Sequence, residues 1–318
     1  MKRGPERVTI VEVGPRDGLQ NEATPIATAT KLELIARLRA AGLPVIEVTA
    51  FVSPKWVPQM ADHAELLATL MRDADAAAPR YPVLVPNLKG LDAALAAGAR
   101  EIAVFTAASE SFCRKNINCS IQESLERFAP VIERARAAGV AVRGYVSCVV
   151  GCPYEGAIAP QAVARVAKAL WELGCREISL GDTIGVGTPD TIERMLAAVA
   201  AEVPMDRLAG HFHDTYGMAV ANVVAAWQMG VATFDASVGG LGGCPYAPGA
   251  AGNVATEALV YLFERMGVAT GVALEPLVDT AWWISAQLGR TPNSRVALAL
   301  ARKEKTNRDA GCGGKSAG

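Results

Sequence analysis

Apolar positions along this chain follow two periods in turn. Short runs rich in β-branched residues, such as VTIVEV (8–13) and EIAVFT (101–106), give way to longer stretches in which Leu, Ala and Val recur every three or four positions, such as ATKLELIARLRAAG. The first pattern suits a buried strand and the second an amphipathic helix. The alternation predicts eight strands, at 8–13, 45–51, 82–86, 101–106, 142–148, 177–182, 208–214 and 233–238. Gly42 and Gly174 sit where the helices after the first and fifth strands must stop. Eight strand-helix units in roughly 250 residues match a closed (β/α)8 TIM barrel, whereas a doubly wound open sheet uses fewer strands. Two further helical stretches, 274–288 and 295–305, follow the eighth unit. The expected organisation is an α/β TIM barrel with extra C-terminal helices, one catalytic domain over 1–302, and a polar, glycine-rich, disordered tail over 303–318.

Composition narrows the function classes. The 318 residues are 51% hydrophobic, which supports a large core, and the formal net charge is -1. No overall field draws the protein to nucleic acid or to an anionic membrane, so neither is expected as a partner. No apolar run approaches the roughly 20 residues that span a bilayer, and Met1–Arg7 is too short for a targeting peptide, which points to the cytoplasm. The seven cysteines are odd in number, and Cys148 and Cys152 lack the two-residue spacing of a zinc ribbon. Reduced thiols are the expectation.

In such a barrel, chemistry sits at the carboxyl ends of the strands. Arg16 and Asp17 follow the first strand in GPRDGLQNE; taken alone, the pair reads equally well as a solvated charged turn. At the end of the seventh strand, His211 and His213 flank Phe212, and strand alternation turns both imidazoles to one face. His63, in MADHAELL, falls in a helical pattern and reads as a packing or surface residue. After the eighth strand, SVGGLGGCPYAPGAAGN (237–253) lacks the ending of a nucleotide loop and reads as a mobile lid carrying Cys244, which by spacing alone is also consistent with a bystander thiol.

Barrel closure makes the first, seventh and eighth strands neighbours, so Asp17, His211, His213 and Asn253 are expected to meet at the mouth. Two nitrogens, a carboxylate and an amide suit a divalent ion such as Mg2+ or Mn2+, with Zn2+ a less fitting alternative. Beside that ion, Arg16 would stabilise an enolate oxygen and Cys244 would exchange a proton with a carbanion, chemistry that makes or breaks a carbon-carbon bond. Glu47 and Asp182, at the ends of the second and sixth strands, would hold Arg16, a histidine or the ion's waters, or serve as structural ion-pair partners.

The motifs VEVGPRDGLQNE, EVTAFVSPKWVPQMAD, NINCS, VRGYVSCVVGCPYEG, SLGDTIGVGTP, HFHDTYGMAVAN and GLGGCPYAPGAAGNVATE together resemble the hydroxymethylglutaryl-coenzyme A lyase family, TIM-barrel metallolyases akin to isopropylmalate and homocitrate synthases. The resemblance runs from about residue 7 to residue 300. It implies metal-dependent cleavage of 3-hydroxy-3-methylglutaryl-CoA to acetyl-CoA and acetoacetate, as in leucine breakdown and ketone-body formation. On this chain it implies Asp17, His211, His213 and Asn253 as metal ligands, Arg16 as the enolate stabiliser and Cys244 as the lid cysteine in proton transfer. His211, with Asp182 nearby, is the candidate base for the C3 hydroxyl, and Glu47 and Glu257 are supporting residues. Lys89 and Lys115 are candidates for the phosphates of an acyl-CoA substrate, and both also suit a solvated surface. A homodimer is the assembly the resemblance suggests. The alternatives are a lyase for a related 3-hydroxyacyl-CoA such as citramalyl-CoA, a Claisen-condensing acyltransferase of the same superfamily, and a catalytically inert barrel serving as a binding module.

Overall fold

The computed structural model describes residues 4–75, 77–243 and 252–301. Its parallel strands are β1 (Thr9–Glu12), β2 (Val45–Ile46), β3 (Thr49–Ala50), β4 (Val83–Leu84), β5 (Glu101–Ala107) and β6 (Ala141–Ser147), then β9 (Glu177–Asp182), β10 (Leu208–Phe212) and β11 (Thr233–Ala236). Between β6 and β9 stands a small antiparallel hairpin, β7 (Gly151–Cys152) with β8 (Gly156–Ala157).

The strand order is β2-β1-β11-β10-β9-β6-β5-β4-β3, and its two ends are consecutive pieces of one segment of chain. β2 pairs with β1 and β3 pairs with β4, so residues 45–50 join both edges and the sheet closes on itself. The seam is continuous, because Glu47 N–H donates to the Glu12 carbonyl at 2.8 Å and Val48 N–H to the Pro82 carbonyl at 3.1 Å. The predicted strand at 45–51 is thus one barrel strand that changes partners at Glu47, and the eight-stranded barrel stands with no open edge.

Helices cover the outside: α1 (Thr28–Ala40), α2 (His63–Arg72), α3 (Leu88–Ala96), α4 (Glu110–Ile117), α5 (Ile121–Ala137), α6 (Pro160–Leu173), α7 (Pro189–Ala200), α8 (Ala219–Met229), α9 (Thr256–Arg265) and α10 (Leu274–Gln287). A last helical segment covers 295–301. The predicted periodicity is what packs them. In α6, Val163, Val166, Ala167 and Leu170 form the buried stripe, and Gly174 ends the helix at φ +107°. Burying each such Val or Leu contributes about 1.5–3 kcal/mol.

A short additional helix, α4, forms in ASESFCRKN, because the Ser109 hydroxyl accepts from the Phe112 N–H at 3.1 Å and Phe112 and Cys113 turn into a small apolar cluster with Cys148 and Cys152. Residues 244–251, with Cys244, as well as Cys312 and the predicted tail at 303–318 lie outside the described residues. Among the described residues no helix is long and apolar enough to cross a membrane.

Candidate active site

The carboxyl ends of the strands surround a cavity of about 660 Å³. Arg16, Asp17, His211 and His213 line one part of it, and Leu84, Phe105, Phe112 and Phe128 line another. The polar residues come from the first and seventh barrel strands and the apolar ones from the third and fourth units, so the two linings arise from different sectors of the barrel.

Arg16 and Asp17 sit on a five-residue π-helical turn, Gly14–Gly18, directly after β1. The turn fits because its glycines leave room: a Cβ at Gly18 would lie 2.8 Å from the Leu241 Cβ. Glu12 fastens it from below. Its Oε1 accepts from the Gly14 N–H at 2.8 Å and the Val238 N–H at 2.9 Å, and its Oε2 from the Thr256 hydroxyl at 2.6 Å. Burial pushes the Glu12 carboxyl up to about 7 despite these donors.

Arg16 is held between two carboxylates. Its Nε and Nη2 donate to Glu47 Oε2, each at 2.6 Å, and its Nη1 to Asp17 Oδ1 at 2.6 Å. Burial disfavours the guanidinium charge, but Glu47 and Asp17 more than offset this and hold Arg16 cationic. Asp17 is likewise pushed up by burial and pulled down further by Arg16, His211, His213 and Asn253, which keep it ionised well below the usual carboxylate range.

His211 and His213 project inward together, with their Nε2 atoms 3.3 Å apart. Phe212 folds the other way, its ring over Gly210, where a Cβ would lie 2.9 Å from ring carbons. Burial, then the neighbouring His211, lowers His213 to about 4, so its imidazole is neutral near pH 7. One donor atom each from Asp17, His211 and His213 lies within 4.8 Å of the others. Asn253 joins the cluster through Nδ2, which donates to Asp17 Oδ2 at 2.8 Å, and through a backbone bridge to His213. Gly242 permits this approach: it has φ +112°, and a Cβ there would lie 2.9 Å from Asn253 Nδ2.

The cluster fits a divalent cation. Two buried imidazole nitrogens face each other across a distance that two protonated nitrogens would not share, an ionised carboxylate stands beside them, and His213 Nδ1 is buried without a hydrogen-bond partner. A cation accepts the converging lone pairs that the protein leaves unmatched.

The remaining sequence candidates are placed as follows. Asp182 is buried, and its carboxylate turns to its own loop, accepting from Val186 N–H at 3.2 Å and Gly187 N–H at 2.7 Å. Glu257 accepts from the Gly239 N–H at 2.8 Å behind the eighth strand. Lys89 and Lys115 are exposed on α3 and α4, the latter with Nζ 4.7 Å from the Tyr154 ring centroid, and neither lines the cavity. The basic side chain that joins Arg16 in the lining is Arg127. Sequence reasoning also missed Asp235, whose Oδ2 lies 3.1 Å from His211 Nδ1, and Arg143, which reaches across the barrel lumen to Asp235. The available signal was a charged residue at an inward position of a predicted strand, in TFDASV and in VRGYVSC.

Comparison with known proteins places this site in a lineage. The HMGL-like family model matches residues 7–284. The chain is 59% identical over 298 residues to the mitochondrial hydroxymethylglutaryl-CoA lyase of Gallus gallus, covering 94% of this chain and 99% of that protein. It is 57% identical over 299 residues to a 3-hydroxy-3-isohexenylglutaryl-CoA/hydroxymethylglutaryl-CoA lyase of Pseudomonas aeruginosa, covering 94% of this chain and 99% of its relative. The crystal structure of hydroxymethylglutaryl-CoA lyase from Pseudomonas aeruginosa superposes with a TM-score of 0.91 at 57% identity, over 94% of this chain and 99% of that one. Sequence, barrel and site agree, and the chain belongs to the HMGL-like family.

Proposed function

We propose that this protein is a carbon-carbon lyase that cleaves 3-hydroxy-3-methylglutaryl-CoA into acetyl-CoA and acetoacetate with a divalent metal, Mg2+ or Mn2+, as cofactor. The observation that carries this reading is the convergence of Asp17, His211 and His213 beside a buried Arg16 at the mouth of the barrel. Asn253 supports the set through its hold on Asp17. A bound divalent ion supplies Lewis-acid polarisation of the substrate's oxygens.

In the reaction the C3 hydroxyl loses its proton, the C2–C3 bond breaks, and C3 becomes the ketone of acetoacetate. The electron pair passes to the thioester, whose enolate carbon then takes up a proton to give acetyl-CoA. Arg16 is the group placed for the developing enolate oxygen, since Glu47 and Asp17 fix its guanidinium before substrate arrives and no reorganisation is needed at the moment of bond cleavage. Cys244, outside the described residues, is proposed as the proton donor to the enolate carbon on the strength of its motif. With Nδ1 of His211 directed at Asp235, Nε2 is the nitrogen that faces the cluster, and its approach to His213 favours a ligand role for His211 over that of base. The family assignment supports an acyl-CoA substrate, with a homodimer and the cytoplasm as the proposed assembly and compartment.

A second reading concerns the acyl group. The apolar lining by Leu84, Phe105, Phe112 and Phe128 offers more surface than a C3 methyl needs, and the Pseudomonas relative's name includes an isohexenyl substrate. Longer branched 3-hydroxyglutaryl thioesters are therefore candidate substrates of the same site. The deciding experiment incubates the purified protein with hydroxymethylglutaryl-CoA and Mg2+ or Mn2+ and assays acetoacetate against a chelated control, with the longer thioester run in parallel and read by its acetyl-CoA product. Acetoacetate release that depends on the metal is expected. Full activity in the chelated sample would overturn the metal-dependent reading.

A further inference from the structure

Asp235 lies at an inward position of β11, 1% exposed, and its carboxylate meets three donors in the barrel lumen. Arg143 gives Nη2 to Oδ1 at 2.6 Å and Nη1 to Oδ2 at 3.0 Å, and the Ser179 hydroxyl gives a bond to Oδ2 at 2.8 Å. Arg143 is itself anchored to Glu177 at 2.7 Å and to the Tyr145 hydroxyl at 2.8 Å. The same Oδ2 lies 3.1 Å from His211 Nδ1.

We infer that Asp235 is a positioning residue for the metal centre: it fixes His211 in the tautomer with the proton on Nδ1, which aims the Nε2 lone pair at Asp17 and His213. A carboxylate clamped by a guanidinium and a hydroxyl is an acceptor only, so the imidazole must donate to it. His213 has no equivalent, because its Nδ1 is buried without a partner. One imidazole is thus preset by the fold and the other is oriented by what binds between them. Arg143, from the fifth strand, and Ser179, from the sixth, extend the support of the ligand to two further strands of the barrel.

This inference rests on the metal-site reading and is tested apart from the lyase reaction. The full-length, metal-free protein labelled with 15N-histidine has three imidazoles, His63, His211 and His213. Long-range 1H–15N spectra are expected to show His211 protonated at Nδ1 and bare at Nε2; an Nε2-protonated or mixed His211 would overturn the inference without any substitution. In Asp235→Asn, Mn2+ affinity measured by electron paramagnetic resonance should fall about 10–100-fold, with the His211 resonances moved, and unchanged affinity would also overturn it. The paired variant Arg143→Met/Asp235→Asn removes the ion pair without leaving either buried partner charged. A merely structural Asp235 predicts recovered Mn2+ affinity in that variant, whereas a positioning role predicts that affinity stays low. A protein that passes these tests but releases no acetoacetate would sink the proposed reaction and leave this inference standing.

Discussion

Asn253 donates its side-chain amide to Asp17 at 2.8 Å across 236 residues of chain. The bond joins the turn after the first strand to the segment after the eighth, which are neighbours only because the barrel closes. It also leaves the Asp17 carboxylate with a fixed orientation, since Arg16 takes the other oxygen. Replacing Asn253 with Ala frees half of that carboxylate. Divalent-cation affinity is expected to fall about 10–100-fold, read by titration calorimetry with Mn2+, and wild-type affinity would show that Asp17 needs no such hold.

Arg16 carries both charge for the reaction and charge balance for the fold. Arg16→Gln strands Glu47, which is fully buried, and should cost about 3–5 kcal/mol in urea unfolding. Turnover should fall about 10²–10³-fold or more. The double variant Arg16→Gln/Glu47→Gln separates the two effects: stability should largely return while kcat stays low. A double variant that regains activity would remove Arg16 from the chemistry.

Glu12 ties the stability of the catalytic turn to pH. An unfolded glutamate titrates near 4.5, and burial raises the folded group to about 7. Between these values the folded state keeps a proton that the unfolded chain has lost, so stability falls as pH rises. The contribution is full below 4.5, is lost through about 7, and is on the order of 3 kcal/mol. Glu12→Gln preserves an acceptor for Gly14 and Val238 and cannot titrate. Across pH 5–8, the stability difference between wild type and this variant, measured in urea, should shift in favour of the variant as pH rises; a constant difference would mean that Glu12 is ionised throughout.

The prediction for Cys244 rests on its place in GLGGCPYA. Cys244→Ala should lower kcat by about 10²–10⁴-fold, as loss of a proton-transfer group does, and leave the thermal midpoint at the wild-type value. Equal turnover in the two proteins would assign the proton to another group.

Much of this was readable from residue order alone. Short β-branched runs followed by runs of helical period, repeated eight times, carry the barrel, because local backbone preference and burial act over a few residues at a time. The pair HxH and the turn GPRDG are local as well, and a strand's alternation is enough to put both imidazoles on one side.

What local pattern did not reveal was settled by distance through space. That 45–51 divides between two neighbours at Glu47, that Arg143 crosses the lumen to Asp235, and that Asp235 meets His211 are relations among residues far apart in the chain. A buried aspartate inside TFDASV reads in sequence as an isolated polar interruption, and only the closed barrel supplies the partners that keep it charged. Asp182 shows the converse. Its position beside the predicted site suggested contact with a histidine, but the N–H groups of Val186 and Gly187 lie closer to hand and claim the carboxylate. Sequence determined which elements form and which reactive groups stand at their ends; the tertiary structure decided which of those groups touch, because hydrogen bonds and ion pairs are chosen over a few ångströms that chain order does not measure.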